Sequence, residues 1–280
     1  MQKWIRICFF AVLLLCMPYG IAKAENGVEI ADNEDGTVTV LYANESAAKL
    51  AVTVKKEGSD TQYNYFLTGD AIDTNIPLTR GNGNYQISVL INIVDSQYSP
   101  LTTQKVVLQL ADAKSAYLTS NQMISWEDTN NAIKKANRLA NQYQSQTSKI
   151  KAIYKYLVKN FEYDYDKYKQ NSNGNLAYYT PNIEDTFEKK KGICYDIATL
   201  TSSMMRSVGV QTQMITGYPN SQYFDGTQYH AWNKVYYKKY KKWVVMDITC
   251  DMCLFQQGVP YRKLIMKKRA VQYNNIKYIY

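Results

Sequence analysis

Two hydrophobic rhythms divide the chain. From Gly27 to about Leu110, apolar residues recur at every second position. Tyr85, Ile87, Val89, Ile91 and Ile93 alternate with Gln86, Ser88 and Asn92, with Leu90 on the off face. Val38, Val40 and Tyr42 follow the same rule, as do Leu50, Val52 and Val54, then Val106, Leu108 and Leu110. A period of two places alternate side chains on one face of a strand. Asp35-Gly36 and the run Gly81–Asn84 read as hairpin turns. Six or seven strands at this spacing predict a small antiparallel sandwich of immunoglobulin-like size.

From about Ala116 the period becomes helical. Ala132, Ile133, Ala136, Leu139, Ala140 and Tyr143 share one face, with Ser125 as the expected N-cap. Ile150, Ile153, Tyr154, Leu157 and Phe161 form the stripe of a second helix beginning near Ser148. Charge changes at the same place. Residues 25–115 carry 6 Lys+Arg against 12 Asp+Glu, and residues 116–280 carry 24 against 12, so the two parts stand at −6 and +12. Both changes place a domain boundary near 112–120 and predict a sandwich over 25–115 and an α+β domain over 116–280.

The first 24 residues follow a third grammar. Lys3 and Arg6 precede an unbroken apolar run of 11 residues, Ile7 to Met17, and Ala22-Lys23-Ala24 has the small-x-small form of a cleavage site. Eleven residues are too short for a hydrocarbon core of ~30 Å. The segment reads as a secretory signal peptide cut after Ala24, which predicts an exported protein, secreted or cell-surface associated. Cleavage leaves three cysteines, Cys194, Cys250 and Cys253. Three is odd, so at least one thiol is not paired within the chain.

Histidine occurs once in 280 residues. That count excludes any multi-histidine metal centre and makes His230 the only imidazole base. Cys194 lies in Gly192-Ile193-Cys194-Tyr195-Asp196, ahead of a helical stripe of Ile197, Leu200, Met204 and Val208. A cysteine at a helix start meets a dipole that favours thiolate, and the unpaired N–H groups there can hold an oxyanion. His230 opens an apolar strand, His230–Tyr237, and Trp243–Thr249 reads as the next. With Lys238-Lys239 at the tip of the hairpin, His230 falls opposite Asp247. Cys194, His230 and Asp247 then form a nucleophile, a base and its orienter.

These pieces, Gly-Ile-Cys-Tyr-Asp at 192–196, His-Ala-Trp-Asn-Lys-Val at 230–235 and Trp-Val-Val-Met-Asp-Ile-Thr at 243–249, resemble the transglutaminase-like superfamily. So does the lead-in Phe161-Glu162-Tyr163-Asp164. The resemblance covers roughly residues 117–250. It implies a papain-like α+β core with the cysteine helix packed on an antiparallel sheet, and a catalytic triad of Cys194, His230 and Asp247. It implies acyl transfer through a thioester with no metal or organic cofactor, on a protein or peptide amide. The family includes crosslinkers, peptidases and amidases. The basic catalytic half disfavours approach of a lysine amine, which tilts the expectation to hydrolysis. A crosslinking enzyme, or a cell-surface binding module without activity, are the alternatives. One departure is Cys250-Asp251-Met252-Cys253, where the family commonly has a Trp- or Pro-containing turn.

Other features have simpler readings. Cys250 and Cys253 lack the further ligands a zinc site needs, and an oxidising compartment predicts that they pair with each other. Asp164 and Asp166 read as a solvated edge. Lys189–Lys191 and Lys267–Arg269 read as solvated faces or as attraction to anionic wall polymers, not as a nucleic-acid surface.

Overall fold

The computed structural model describes residues 25–43, 48–171 and 179–280. The expected signal peptide, residues 1–24, lies outside them. The alternating segments form seven strands: β1 (Val28–Asp32), β2 (Thr37–Ala43), β3 (Leu50–Lys56), β4 (Gln62–Leu67), β5 (Ala71–Pro77), β6 (Gly83–Val94) and β7 (Gln97–Leu108). They make two antiparallel sheets, β1-β2-β5 and β4-β3-β6-β7. Val38, Val40, Leu50, Val52, Ile87 and Val89 are fully buried between them, as a period of two requires when one face meets a core. The rhythm outlasts the burial at the end of β6, where Ile93 is 67% exposed.

The turn readings divide. Asp35-Gly36 sits in the β1–β2 hairpin, with Gly36 at φ 98° and Asp35 Oδ1 accepting from the Thr37 N–H. The run Gly81–Asn84 is not a hairpin. It carries the chain from β5 in one sheet to β6 in the other. The hairpin that follows, between β6 and β7, turns at Asp95-Ser96, with Asp95 at φ 47°.

The second part contains α1 (Asn131–Ala140), α2 (Gln146–Asn160), β8 (Glu162–Tyr163), α3 (Tyr165–Asn171), α4 (Ile183–Lys189), β9 (Lys191–Gly192), α5 (Cys194–Arg206), β10 (Thr212–Gly217), β11 (Asn220–Ser221), β12 (Phe224–Asp225), β13 (His230–Tyr237), β14 (Lys242–Met246), α6 (Ile248–Gln256) and β15 (Ile276–Ile279). Its four-stranded antiparallel sheet has the order β14-β13-β10-β15. Helix α5 packs against β13 and β10 through Ala198, Met214 and Ala231. The expected α+β core, a cysteine helix on an antiparallel sheet behind an all-β unit, is the observed one. Ser125 does not cap α1. The helix begins after Asn130, and the Glu184 carboxylate of α4 accepts from the N–H groups of Asn131 (2.9 Å) and Ala132. A side chain distant in sequence thus does the work of a local cap. In α2 the cap is local, since Ser145 accepts from the Ser148 N–H.

Strand β15 joins the two parts. It pairs with β10, placing Ile279 beside Ile215. It also bonds to the sandwich: Thr79 Oγ1 donates to the Ile279 carbonyl (2.6 Å) and the Ile279 N–H donates to the Tyr63 hydroxyl (3.2 Å). The rings of Tyr278 and Tyr280 pack edge-on against Tyr63. The buried Arg206 donates to the carbonyls of Thr119, Thr212 and Tyr280, which satisfies an interior cation with backbone acceptors.

Candidate active site

Cys194 is the first residue of α5, and three contacts set it there. Parallel pairing of β8 with β9 brings the chain to the helix start. Gly192 then passes so close to α5 that an added Cβ would lie 2.7 Å from Asp196 Cβ, so space, not backbone angle, requires glycine. Asp196 turns back to accept from the Ile193 N–H (2.9 Å), closing the first turn. Its buried carboxylate also pairs with Lys167 (2.8 Å) and accepts from the Tyr179 hydroxyl. Cys194 is left partly exposed at the helix start, where first-turn N–H groups have no intrahelical partner.

His230 is the first residue of β13 and faces Gly217 on β10. Its Nε2 lies 2.9 Å from Asp247 Oδ2. The imidazole is held between two rings, with Phe224 at 4.4 Å and Trp232 at 6.2 Å and nearly parallel. With Nε2 engaged by Asp247, Nδ1 is the nitrogen left to serve the Cys194 thiol, which lines the same cleft. Burial pushes this histidine down, but the Asp247 carboxylate and the Cys194 sulfur outweigh it and hold the imidazole up at about 10.

Asp247 is fully buried and answers three donors. Oδ2 accepts from His230 and from the Tyr273 hydroxyl (2.9 Å), and Oδ1 accepts from the Cys250 N–H (2.9 Å). Burial raises a carboxyl, yet the charge of His230 and these hydrogen bonds keep Asp247 below the usual range. The register that places it differs from the one the sequence suggested. The hairpin turn is the four residues Lys238–Lys241, not two, with Lys241 in the left-handed region at φ 48°. Pairing runs Asn233↔Met246, so Asp247 falls on the diagonal from His230, one residue past the end of β14. It is the N-cap of α6, and the segment after it is helix instead of continued strand.

Two further polar residues hold these elements in place. Asn233 Nδ2 donates to the Ala198 carbonyl (2.9 Å) and Ser202 Oγ (2.8 Å), fastening the cysteine helix to the histidine strand. Tyr273 braces Asp247. Asn233 falls within a quoted sequence motif, but nothing local marks Tyr273 among 26 tyrosines.

Among the described residues all three cysteines, Cys194, Cys250 and Cys253, are free thiols, which corrects the expected Cys250–Cys253 disulfide. Both sit inside α6, where residues three apart hold their Cβ atoms about 5–6 Å from each other, beyond the ~3.8 Å typical of a disulfide. Burial pushes the Cys250 thiol well up, and the Cys253 thiol up to about 11. The basic runs are internally engaged. Lys189 pairs with Asp185, Lys190 lies over the Phe187 ring, and Lys191 faces Asp164 and Asp166. Lys268 forms a buried ion pair with Asp251.

Cys194 and His230 open into a cleft of about 640 Å³. The second part of the chain lines it with Cys194, Tyr195, Tyr229 and Ala231. Strand β4 of the sandwich lines the same cleft, through Asn64, Tyr65 and Phe66.

Residues 133–248 match the model of the transglutaminase-like superfamily. A UPF0252 protein of Methanocaldococcus jannaschii is 35% identical over 86 residues, 29% of this chain and 24% of that protein, so the match spans about a quarter of that relative's length. Among solved structures, a candidate cysteine protease from Cytophaga hutchinsonii is 15% identical, with 74% of this chain and 68% of that one covered at a TM-score of 0.40. The periplasmic domain of TgpA from Pseudomonas aeruginosa is 13% identical, with 75% and 92% covered at a TM-score of 0.38. The matched stretch, residues 133–248, holds the cysteine helix, the histidine strand and Asp247, and it is this part of the chain that is similar to the transglutaminase-like superfamily.

Proposed function

We propose that this protein is an exported cysteine enzyme that hydrolyses an amide or peptide bond through Cys194, His230 and Asp247. One observation carries the reading: the only imidazole in the chain is buried between a carboxylate at 2.9 Å and the cysteine at a helix start. His230 holds the thiol proton, and the Cys194 sulfur attacks the carbonyl carbon. The first-turn N–H groups of α5 receive the developing oxyanion. The C–N bond breaks, His230 gives its proton to the departing amine, and a thioester remains on Cys194. Water then adds with His230 as base, the C–S bond breaks, and the acid and free thiol are released. Asp247 keeps its charge throughout and holds the ring by Nε2.

Hydrolysis is preferred to crosslinking because an acceptor lysine needs an anionic guide. Among the described residues lining the cleft, none is Asp or Glu. The test supplies a glutamine-containing protein with a labelled primary amine, beside a peptide-cleavage assay. Cleavage that vanishes in Cys194→Ala supports the reading. Cys194-dependent amine incorporation without cleavage replaces the hydrolase with a crosslinker, and full activity in Cys194→Ala refutes the mechanism.

A further inference from the structure

The chain is strongly basic, yet its cleft is not. Among the described residues lining the cleft there is no Lys, Arg, Asp or Glu, and His230 is the only ionisable nitrogen side chain. Seven of the lining residues are tyrosines. Several are fixed in place: Tyr229 donates to Thr216 Oγ1 (2.7 Å), and Tyr280 packs edge-on against Tyr65 and Tyr63. Part of the lining belongs to the other folding unit. Strand β4 is an edge of the four-stranded sheet, and β15 ties that sheet to the catalytic one. The sandwich therefore stands within reach of the same space as the nucleophile.

We infer that the sandwich is part of the substrate site, and that Phe66 and Tyr278 select a peptide with an uncharged aromatic or aliphatic side chain within two residues of the attacked carbonyl. The inference rests on Cys194 being the nucleophile proposed above. A charged side chain entering this space loses its water and meets no counter-ion. A lysine recovers part of that loss over tyrosine faces, but has no carboxylate to complete it. A phenyl or branched alkyl group gains from burial and from edge-to-face ring contacts. The attacked atom must be an acyl carbonyl, which favours a peptide over a bare glycan as the occupant.

The test uses the full chain and two sets of dipeptidyl acyloxymethyl ketones, in which the residue next to the ketone, or the one before it, is Phe, Leu, Gly, Lys or Glu. Inactivation rates are read with peptide mapping of the adduct, and iodoacetamide reports whether Cys194 reacts at all. In one of the two sets, Phe and Leu should react at least about tenfold faster than Lys and Glu, the scale on which apolar pockets discriminate. Phe66→Lys should raise the ratio of the Glu rate to the Phe rate by a similar factor. Tyr278→Lys is the second variant should the first fail to fold, and a ratio within one protein does not depend on its overall activity. Equal rates for charged and uncharged probes in both sets, or ratios unmoved in a folded variant, overturn the inference while Cys194 labelling leaves the nucleophile standing. A fast glycosyl-bearing probe beside inert Phe and Leu probes overturns it in favour of a sugar. Iodoacetamide that never labels Cys194 removes the nucleophile, and this inference with it.

Discussion

Asp247→Asn isolates the charge of the orienter from its shape. The amide can still accept from the Cys250 N–H through Oδ1, so the cap of α6 survives. The other side of the group then presents an NH2 to His230 Nε2 and the Tyr273 hydroxyl, both donors to Oδ2 in the native protein at 2.9 Å. Two hydrogen bonds to a charged acceptor are lost, each worth ~1.5–3 kcal/mol, with part recovered by rotation of the tyrosine O–H, for a net cost of ~3 kcal/mol. The cost depends on pH. Unfolded, His230 titrates near its ordinary value of 6.5; folded, it keeps its proton to about 10. Its contribution to stability is complete below pH 6.5 and is lost as pH rises through 10, by ~1.4 kcal/mol per unit. In the variant the Asp247 charge no longer opposes burial, so the imidazole gives up its proton at lower pH than in the native protein. The stability deficit should therefore be largest near pH 6 and narrow towards pH 9. Urea denaturation of both proteins at the two pH values measures it, and NMR of the single imidazole follows the titration without ambiguity. Turnover at neutral pH should fall by about 10⁴, by analogy with orienter loss in serine triads. A deficit that does not vary with pH, or an imidazole titrating near 6.5 in both proteins, refutes the reasoning.

Two further outcomes follow from the same geometry. Asn233→Ala should destabilise the protein by ~1–3 kcal/mol, because it removes two buried hydrogen bonds that tie the histidine strand to the cysteine helix at Ala198 and Ser202, and should lower kcat more than it raises KM; equilibrium unfolding and steady-state kinetics check both. Limited alkylation at pH 7 should label Cys194 before Cys253 and Cys250, since the latter two have raised thiols and Cys250 is buried; peptide mapping that finds Cys250 labelled first contradicts the site.

What the sequence revealed depended on the range of the interaction. Alternation at Tyr85, Ile87 and Val89 identified a strand because burial on one face leaves a local imprint, and all three are buried. The helix start at Cys194 was legible for the same reason: Gly192 and Asp196 act within five residues. The hairpin register was not. Its turn is extended by Lys241 in a left-handed conformation that no glycine or asparagine announces, and that shift turns Asp247 from a strand residue into a helix cap. Contacts between distant segments left no mark. Glu184 caps α1, Tyr273 reaches Asp247, and strand β4 lines the same cleft as Cys194, each through a fold that brings remote residues together.

In the proposed reaction Cys194 carries the acyl group while His230 and Asp247 move and hold the proton. This is tested most directly by acid-quenching the protein during turnover of a Phe-containing peptide amide and mapping the adduct by mass spectrometry. An acyl mass should appear on the peptide that contains Cys194, absent from Cys194→Ala, with no corresponding mass on Cys250 or Cys253. An acyl group on another residue, or amide cleavage that continues in Cys194→Ala, would contradict it.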